Sequence, residues 1–176
     1  MAGETYILMG VSGSGKTLVG SKLASTFSAK FIDGDDLHPA ANIDKMGRGV
    51  ALDDDDRAPW LQRLHDVAYS LFKKNETGFI ACSSLKKKYR DFLKSGSPHV
   101  YFIWLDGTYE TIASRLTNRQ GHYMPPHLLK SQFAALEAPE PSERNIIKID
   151  ANQTFDEVIN QCQNAVVEIK NRIKQD

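Results

Sequence analysis

The feature that most constrains this sequence is a glycine-rich segment near its N-terminus, which fits the pattern G-x-x-x-x-G-K-[ST]. Its glycines permit a tight concave turn that a Cβ atom would obstruct. The backbone N–H groups of such a turn converge on an anion, and the following helix adds its positive N-terminal end. We therefore predict a phosphate-binding loop made of Gly10, Val11, Ser12, Gly13, Ser14, Gly15, Lys16 and Thr17.

The residues on either side of this loop provide the context that the motif requires. Residues 5–9 form an apolar run typical of a buried strand, and apolar residues at helical spacing follow the loop: Leu18, Val19 and Leu23. Lys16 is then expected to bridge the β- and γ-phosphates of ATP, and the Thr17 hydroxyl to bind Mg²⁺. The alternative is a glycine- and serine-rich surface loop without a ligand.

Composition argues against several other function classes. The chain has 22 basic and 22 acidic residues, so its net charge does not indicate a nucleic-acid partner. No apolar run approaches the roughly 18 residues of a membrane span, and no signal-peptide pattern precedes the loop. Cys82 and Cys162 are too few for a disulfide framework and lack metal-binding spacing. We predict a cytoplasmic protein of one domain, residues 1–176, that binds neither nucleic acid nor membrane.

Strand-like and helix-like segments alternate along the chain, which is typical of an α/β fold with a parallel sheet. After the first strand, four more are predicted at residues 30–33, 78–82, 100–106 and 145–150. The clearest helical periodicity lies between residues 52 and 75, after a run of acidic residues that suits a helix N-terminus. Because parallel strands end at one edge of a sheet, we expect ligands to bind there.

Two carboxylates follow the second strand, at Asp33 and Asp35. On an extended stretch their side chains would point the same way. Asp33 would then hold Mg²⁺, through water, and Asp35 would orient an acceptor hydroxyl or accept its proton. A structural role in capping and turn formation is the alternative. A phosphate loop facing a carboxylate pair indicates phosphoryl transfer to a small molecule.

Several cations are candidates for binding an anionic substrate. Arg57 begins a helix, where a cation is unfavourable, so it either meets an anionic ligand or pairs with the neighbouring acids. A basic helix follows the third strand, and most of its cations are expected to form a solvated face, with Tyr89, Phe92 and Leu93 facing inward. Lys86 lies nearest the strand end and is the best placed of them to reach a ligand.

Residues from about 115 to 136 are predicted to form a mobile lid. Arg115 and Arg119 are four apart and share a helix face, which leads into the proline- and glycine-rich residues 121–126. Such a segment is typical of a lid that closes over phosphates, although a surface helix end is the alternative. His122 would then act in positioning or lid closure rather than as a general base. Asp106, after the fourth strand, is expected to start a turn.

These motifs together closely resemble those of the gluconokinase family. The similar segments are residues 10–17, 33–39, 56–61, 82–86, 121–125 and 131–133. The resemblance extends over nearly the whole chain and implies a nucleoside-monophosphate-kinase-like P-loop fold, a three-layer sandwich with strand order 2-3-1-4-5. It also implies phosphorylation of D-gluconate at its 6-hydroxyl, with ATP and Mg²⁺, by a cytoplasmic homodimer.

The resemblance also implies roles for individual residues. By analogy with the similar shikimate kinases, Asp35 would contact the acceptor hydroxyls and Arg57 the acceptor carboxylate. Catalysis would then depend on Lys16, Asp35, Arg115 and Arg119, and the substrate would be bound by Asp35, His38, Arg57, Lys86 and His122. One departure is the absence, in residues 49–52, of the proline that commonly precedes Leu52, which would make this loop less stiff.

Two other functions are open at this point. The acceptor could be another polyol acid, shikimate or adenylylsulfate, with the fold unchanged. Alternatively, the chain could bind nucleotide as a regulator without turnover. The intact set of phosphate-loop and carboxylate residues favours an enzyme over such a regulator: Lys16, Thr17, Asp33 and Asp35.

Overall fold

The computed structural model describes residues 3–119 and 125–175. Within these ranges the strands are β1 (Glu4–Met9), β2 (Lys30–Asp33), β3 (Thr77–Ala81), β4 (Val100–Asp106) and β5 (Ile146–Asp150). They form one sheet in the order β2-β3-β1-β4-β5, and each neighbouring pair is parallel. The predicted α/β class and strand order 2-3-1-4-5 are confirmed.

Helices connect the strands in the same described ranges. They are α1 (Lys16–Thr26), α2 (Ala40–Gly47), α3 (Asp54–Lys73), α4 (Lys87–Lys94), α5 (Tyr109–Thr117), α6 (Pro126–Ala135) and α7 (Phe155–Ile173). A 3-10 turn (Gly34–Leu37) follows β2. None of these helices combines the length and apolar character that crossing a bilayer requires.

The sheet is covered on both faces, because side chains alternate along each strand. In β1, Tyr6 and Leu8 pack with α1 and α7, whereas Ile7 and Met9 pack with α3 and α4. The two cysteines are buried and unpaired, one in each of these cores. The result is the predicted three-layer sandwich.

Two capping boxes fix the starts of the long helices. Asp53 caps α3 by accepting the Asp56 N–H, and the Asp56 carboxylate accepts the Asp53 N–H in return. Thr154 and Glu157 do the same at the start of α7. The expectation that the acidic run before α3 serves its N-terminus is therefore confirmed.

A third, smaller core joins the phosphate loop to α5 and α6. Val11 packs there with Ile112 and Leu129. Gly13 lies against the same cluster, with a positive φ of 82°, and an added Cβ would stand 2.8 Å from the side chain of Leu116. The loop and the base of the predicted lid are therefore packed directly on each other.

One apolar side chain that was expected to face inward does not: Phe92 is 37% exposed. Leu18, one of the apolar residues that follow the phosphate loop, is 60% exposed. In α4 the inward face consists of Tyr89, Arg90 and Leu93, so Phe92 lies on the side of the helix and packs beside His65. Arg90 thus faces inward, although the hydrophobic pattern of the sequence would place an arginine on the exposed face.

Candidate active site

The phosphate loop lies between the end of β1 and the start of α1, at the carboxyl edge of the sheet. Gly10, Gly13 and Gly15 all have positive φ, at 148°, 82° and 100°. Side chains are strained in this region of φ, so the loop conformation itself requires the glycines of the motif.

Lys16 is folded back onto its own loop. Its ammonium donates to the Gly10 carbonyl at 3.0 Å and to the Val11 carbonyl at 2.9 Å. Burial lowers its pKa to about 8, and the negative charges of Asp35 and Asp33 oppose that shift. The structure thus places Lys16 within electrostatic reach of both carboxylates that follow β2.

Gln132 of α6 makes a two-point contact with the phosphate loop. Its Oε1 accepts the Ser12 backbone N–H at 2.6 Å, and its Nε2 donates to the Ser12 hydroxyl at 2.8 Å. This contact was not foreseen, because the two residues are 120 positions apart. The only sequence signal was that Gln132 lies in a segment similar to the gluconokinases.

The expected geometry of the carboxylate pair is wrong in one respect. Asp33 and Asp35 do not lie on an extended stretch, because the 3-10 turn begins at Gly34. Asp33 caps this turn, and its Oδ1 accepts the Asp35 N–H at 3.0 Å. Desolvation, followed by the negative charge of Asp33, raises the pKa of Asp35. Asp33 therefore both positions Asp35 and makes it more basic.

His38 follows the same turn and is stacked on Trp60, with ring centroids 4.4 Å apart. The Trp60 indole N–H donates to the Gly34 carbonyl at 2.7 Å. Asn42 Nδ2 donates to the Asp56 carbonyl and lies 3.2 Å from His38 Nδ1. Because that nitrogen of Asn42 is a donor, Nδ1 accepts and Nε2 carries the proton. Burial lowers the pKa of His38, which keeps the ring neutral.

A cationic cluster surrounds Asp54 at the start of α3. Arg57 Nη1 and Lys86 Nζ lie 3.9 and 3.8 Å from Asp54 Oδ1. Lys88 pairs with the other carboxylate oxygen, and Tyr89 donates its hydroxyl to Oδ1. These bonds lower the pKa of Asp54 to about 2. Three cations share one carboxylate, so the cluster retains positive charge. Of the two alternatives open for Arg57, pairing with a neighbouring acid is thus present, at a long distance, and binding of an anionic ligand remains a prediction.

Of the remaining predicted site residues, those within the described ranges do not belong to the clusters above. Arg115 donates to the Gln153 carbonyl at 3.0 Å, in the segment between β5 and α7, and Arg119 is exposed. His122 lies outside the described residues. Asp106 is the last residue of β4 and pairs with Lys148 at 3.2 Å. Its carbonyl accepts the Ala151 N–H, a bond that continues the pairing of β4 with β5 and is not part of a turn.

Most of the basic residues in and before α4 were predicted to form a solvated face, and Arg90 is an exception. Its side chain is 1% exposed and pairs with Glu143, which is equally buried. Sequence reasoning missed this residue because a charged side chain in a lysine-rich helix is usually exposed. A buried charge persists only where other groups satisfy it, so its partners bear on the site.

The chain as a whole was compared with known proteins. Residues 12–174 match the family model described as shikimate kinase. A thermosensitive gluconokinase from Escherichia coli (strain K12) is 66% identical over 174 residues, covering 98% of this chain and 93% of that protein. The chain belongs to the gluconokinase family. A second family member from that organism, a thermoresistant gluconokinase, is 46% identical and covers 88% of each chain.

A solved structure supports the same assignment. The crystal structure of a gluconokinase from Sinorhizobium meliloti 1021 superposes with a TM-score of 0.87 at 37% identity, covering 98% of this chain and 97% of that one. Membership of the gluconokinase family confirms the resemblance stated from the sequence motifs. The chain is therefore a P-loop kinase that transfers a phosphoryl group to an alcohol.

Proposed function

We propose that this chain phosphorylates D-gluconate at its 6-hydroxyl with ATP, giving 6-phospho-D-gluconate and ADP. The observation that carries the proposal is the position of Asp35. Its carboxylate lies in the turn that follows β2, within electrostatic reach of Lys16 of the phosphate loop and of His38. A carboxylate between a phosphate cradle and an acceptor pocket is what transfer to a hydroxyl requires.

Each side of the site has its own task in this reaction. The bond between the acceptor oxygen and the γ-phosphorus forms as the bond from that phosphorus to ADP breaks. Asp35 takes the proton of the attacking hydroxyl, and its raised pKa suits it to do so. Lys16 and the loop N–H groups stabilise the negative charge that spreads over the phosphoryl oxygens, with Arg115 and Arg119 contributing after lid closure.

The acceptor is held by residues that follow β2 and β3. Arg57 and Lys86 bind the gluconate carboxylate, because the single negative charge of Asp54 does not neutralise all the cations of their cluster. The neutral ring of His38 donates from Nε2 to an acceptor hydroxyl. His122 completes the pocket when the lid, residues 115–136, closes.

Mg²⁺ fits the oxygen donors present. Within residues 3–119 and 125–175, no group of three or more His, Cys, Asp and Glu side chains could hold a metal by itself. Mg²⁺ usually binds one or two protein oxygens together with phosphates and water, so such a cage is not needed. The Thr17 hydroxyl and the Asp33 carboxylate are the proposed ligands. When bound, the ion would neutralise phosphate charge.

The proposal includes the wider setting of the enzyme. Residues 1–176 act as one domain, two copies form a homodimer, and the dimer works in the cytoplasm, which supplies ATP. Cys82 and Cys162 are buried thiols, compatible with a reducing compartment. Size-exclusion chromatography with light scattering tests the homodimer directly.

A panel of acceptors tests the proposed substrate. We expect ADP release with D-gluconate and at least about tenfold lower kcat/KM with D-glucitol, which has the same hydroxyls at carbons 2 to 6 but no carboxylate. Arg57→Met should remove most of this preference by raising the KM for gluconate, with the KM for ATP unchanged. The measurement is a coupled ADP-release assay.

The matched control for this panel is Arg172→Met, which removes an exposed arginine from the distant end of α7. It should leave both KM values unchanged. A higher kcat/KM with shikimate or adenylylsulfate than with gluconate would contradict the proposed substrate. ATP binding without any acceptor-dependent ADP release would contradict the proposed enzyme.

The pKa of Lys16 predicts how ATP affinity depends on pH. Phosphates favour the charged ammonium, so affinity should stay nearly constant below pH 7 and weaken by up to about tenfold per pH unit above pH 8. Calorimetry between pH 7 and 9.5 measures this, and Lys16→Met should show no such break. A flat profile with the wild-type chain would contradict the assignment.

Without nucleotide, the contribution of Lys16 to the free energy of unfolding should rise between about pH 8 and 10.5, because only the unfolded state then binds the proton.

A further inference from the structure

Arg90 is a fully buried charged residue outside the site already described. Among the described residues, its guanidinium donates to both carboxylate oxygens of Glu143, at 2.8 and 3.1 Å. It also donates to the backbone carbonyls of Ser84, Leu85 and Glu137, at 2.9, 3.1 and 3.0 Å. These bonds use all five donors of the side chain, in a planar geometry that only arginine provides.

The first two of those carbonyls belong to the segment that carries Lys86. Ser84 has a positive φ of 49°, which is strained for a residue with a side chain. Such a conformation persists only where the surrounding structure enforces it. Arg90 holds the carbonyls of this residue and the next, so it fixes the path of the chain immediately before Lys86.

The same segment is bonded to the phosphate loop. The Gly10 N–H donates to the Ser83 carbonyl at 3.1 Å. The turn between β3 and α4 is therefore tied at one end to the start of the loop and at the other to Arg90. A displacement of this turn would move Lys86 relative to the bound phosphates.

The third carbonyl belongs to the chain that leaves α6. Glu137 donates its N–H to the Leu85 carbonyl at 2.8 Å and accepts the Lys87 N–H on Oε2 at 3.1 Å. The same helix carries Gln132, which contacts Ser12 of the phosphate loop. Arg90 thus contacts both the turn between β3 and α4 and the segment that follows the proposed lid. We call this group of residues the Arg90 junction (Arg90, Glu143, Ser84, Leu85 and Glu137).

We propose that Arg90 is a positioning residue, which holds Lys86 in register with the phosphate loop and with the end of α6 and thereby sets the affinity for the acceptor. This inference rests on the proposed function, because it assigns Lys86 to the acceptor carboxylate. The choice of partners supports it. A buried ion pair adds little stability compared with apolar residues of similar size. The guanidinium of Arg90, however, also donates to three backbone carbonyls, which belong to the turn before Lys86 and to the segment after α6.

Arg90→Lys and Glu143→Gln separate positioning from simple stability. Lysine keeps the charge but cannot span the carbonyls, so the KM for gluconate should rise by about tenfold or more, with the KM for ATP within about twofold of wild type. Glutamine removes the charge of Glu143 but leaves Arg90 on its carbonyls, so it should lower the melting temperature while keeping the KM for gluconate within about threefold. Lys94→Met, on the same helix, is the control for a lost surface cation.

Equal loss of stability in both variants, with the KM for gluconate unchanged in Arg90→Lys, would overturn the proposal. If Arg90→Lys does not fold, the double variant R90M/E143M removes both buried charges and is judged by the same KM criterion. Failure of both to fold would also overturn it, since the junction would then be a stability element. Hydrogen exchange of residues 83–87 needs no turnover. Exchange of this segment should accelerate in Arg90→Lys, while exchange of α7 stays unchanged. This result tests the positioning role separately from the proposed function. The proposed function would be contradicted by a wild-type chain that fails to phosphorylate gluconate.

Discussion

Replacement of Asp35 by asparagine is expected to lower kcat with gluconate by about 10²- to 10⁴-fold, the range typical for loss of a positioned general base. Asparagine keeps the size of the side chain but cannot accept the hydroxyl proton. The 3-10 turn should survive, because the cap is a bond from the backbone N–H of residue 35 to the Asp33 carboxylate and does not involve the side chain of residue 35. ATP binding, measured by calorimetry, should therefore stay within about threefold of wild type.

The neighbouring Asp36 provides the matched control. It is exposed in the same turn, so Asp36→Asn removes an equal charge without removing the proposed base. Its kcat should stay close to wild type. Because the pKa of Asp35 is raised, wild-type kcat/KM should fall as the pH decreases through that raised value, and Asp35→Asn should lack this limb. Normal turnover in Asp35→Asn would remove Asp35 from the mechanism.

Replacement of Lys16 by methionine is expected to lower kcat by about 10²- to 10³-fold, the range typical for loss of a group that stabilises the charge developing in the transition state. ATP binding should weaken as well, because the ammonium also contacts phosphate in the ground state. The fold should remain intact: burial disfavours the charged form of Lys16, so an apolar side chain of similar length is tolerated there.

Lys22→Met is the control for this substitution. Lys22 is exposed on the same helix, beyond the phosphate loop. It should retain wild-type kcat and ATP affinity in the same assays. A Lys16→Met variant with a normal melting temperature and normal kcat would exclude the ammonium from the transfer step.

The fold followed closely from the sequence because its signals are local. The phosphate loop requires a strand before it and a helix after it, and the apolar runs of the strands, such as residues 100–106, are long enough to identify. The capping box at Thr154 depends on four consecutive residues. Signals of this kind survive into the structure because tertiary packing agrees with them.

The features of the site and of its surroundings that were missed depend on contacts between distant segments. The solvated face expected for α4 ignored Glu143, which lies 53 positions away from Arg90 and makes its burial possible. Gln132 reaches Ser12 only because α6 packs on the phosphate loop. The extended Asp33–Asp35 pair failed for a different reason, since an aspartate at the end of a strand can cap the next turn with its own side chain.

The way that Lys16 and Ser12 are bonded has a consequence for the energetics of a catalytic cycle. The ammonium donates to the carbonyls of Gly10 and Val11, and the Ser12 N–H donates to Gln132. A triphosphate therefore exchanges one set of hydrogen bonds for another and gains only the difference between them. The same exchange runs backwards when ADP departs, so the loop loses its ligand without exposing an unpaired charge. One loop can therefore contact the phosphoryl group tightly during transfer and still release ADP readily afterwards.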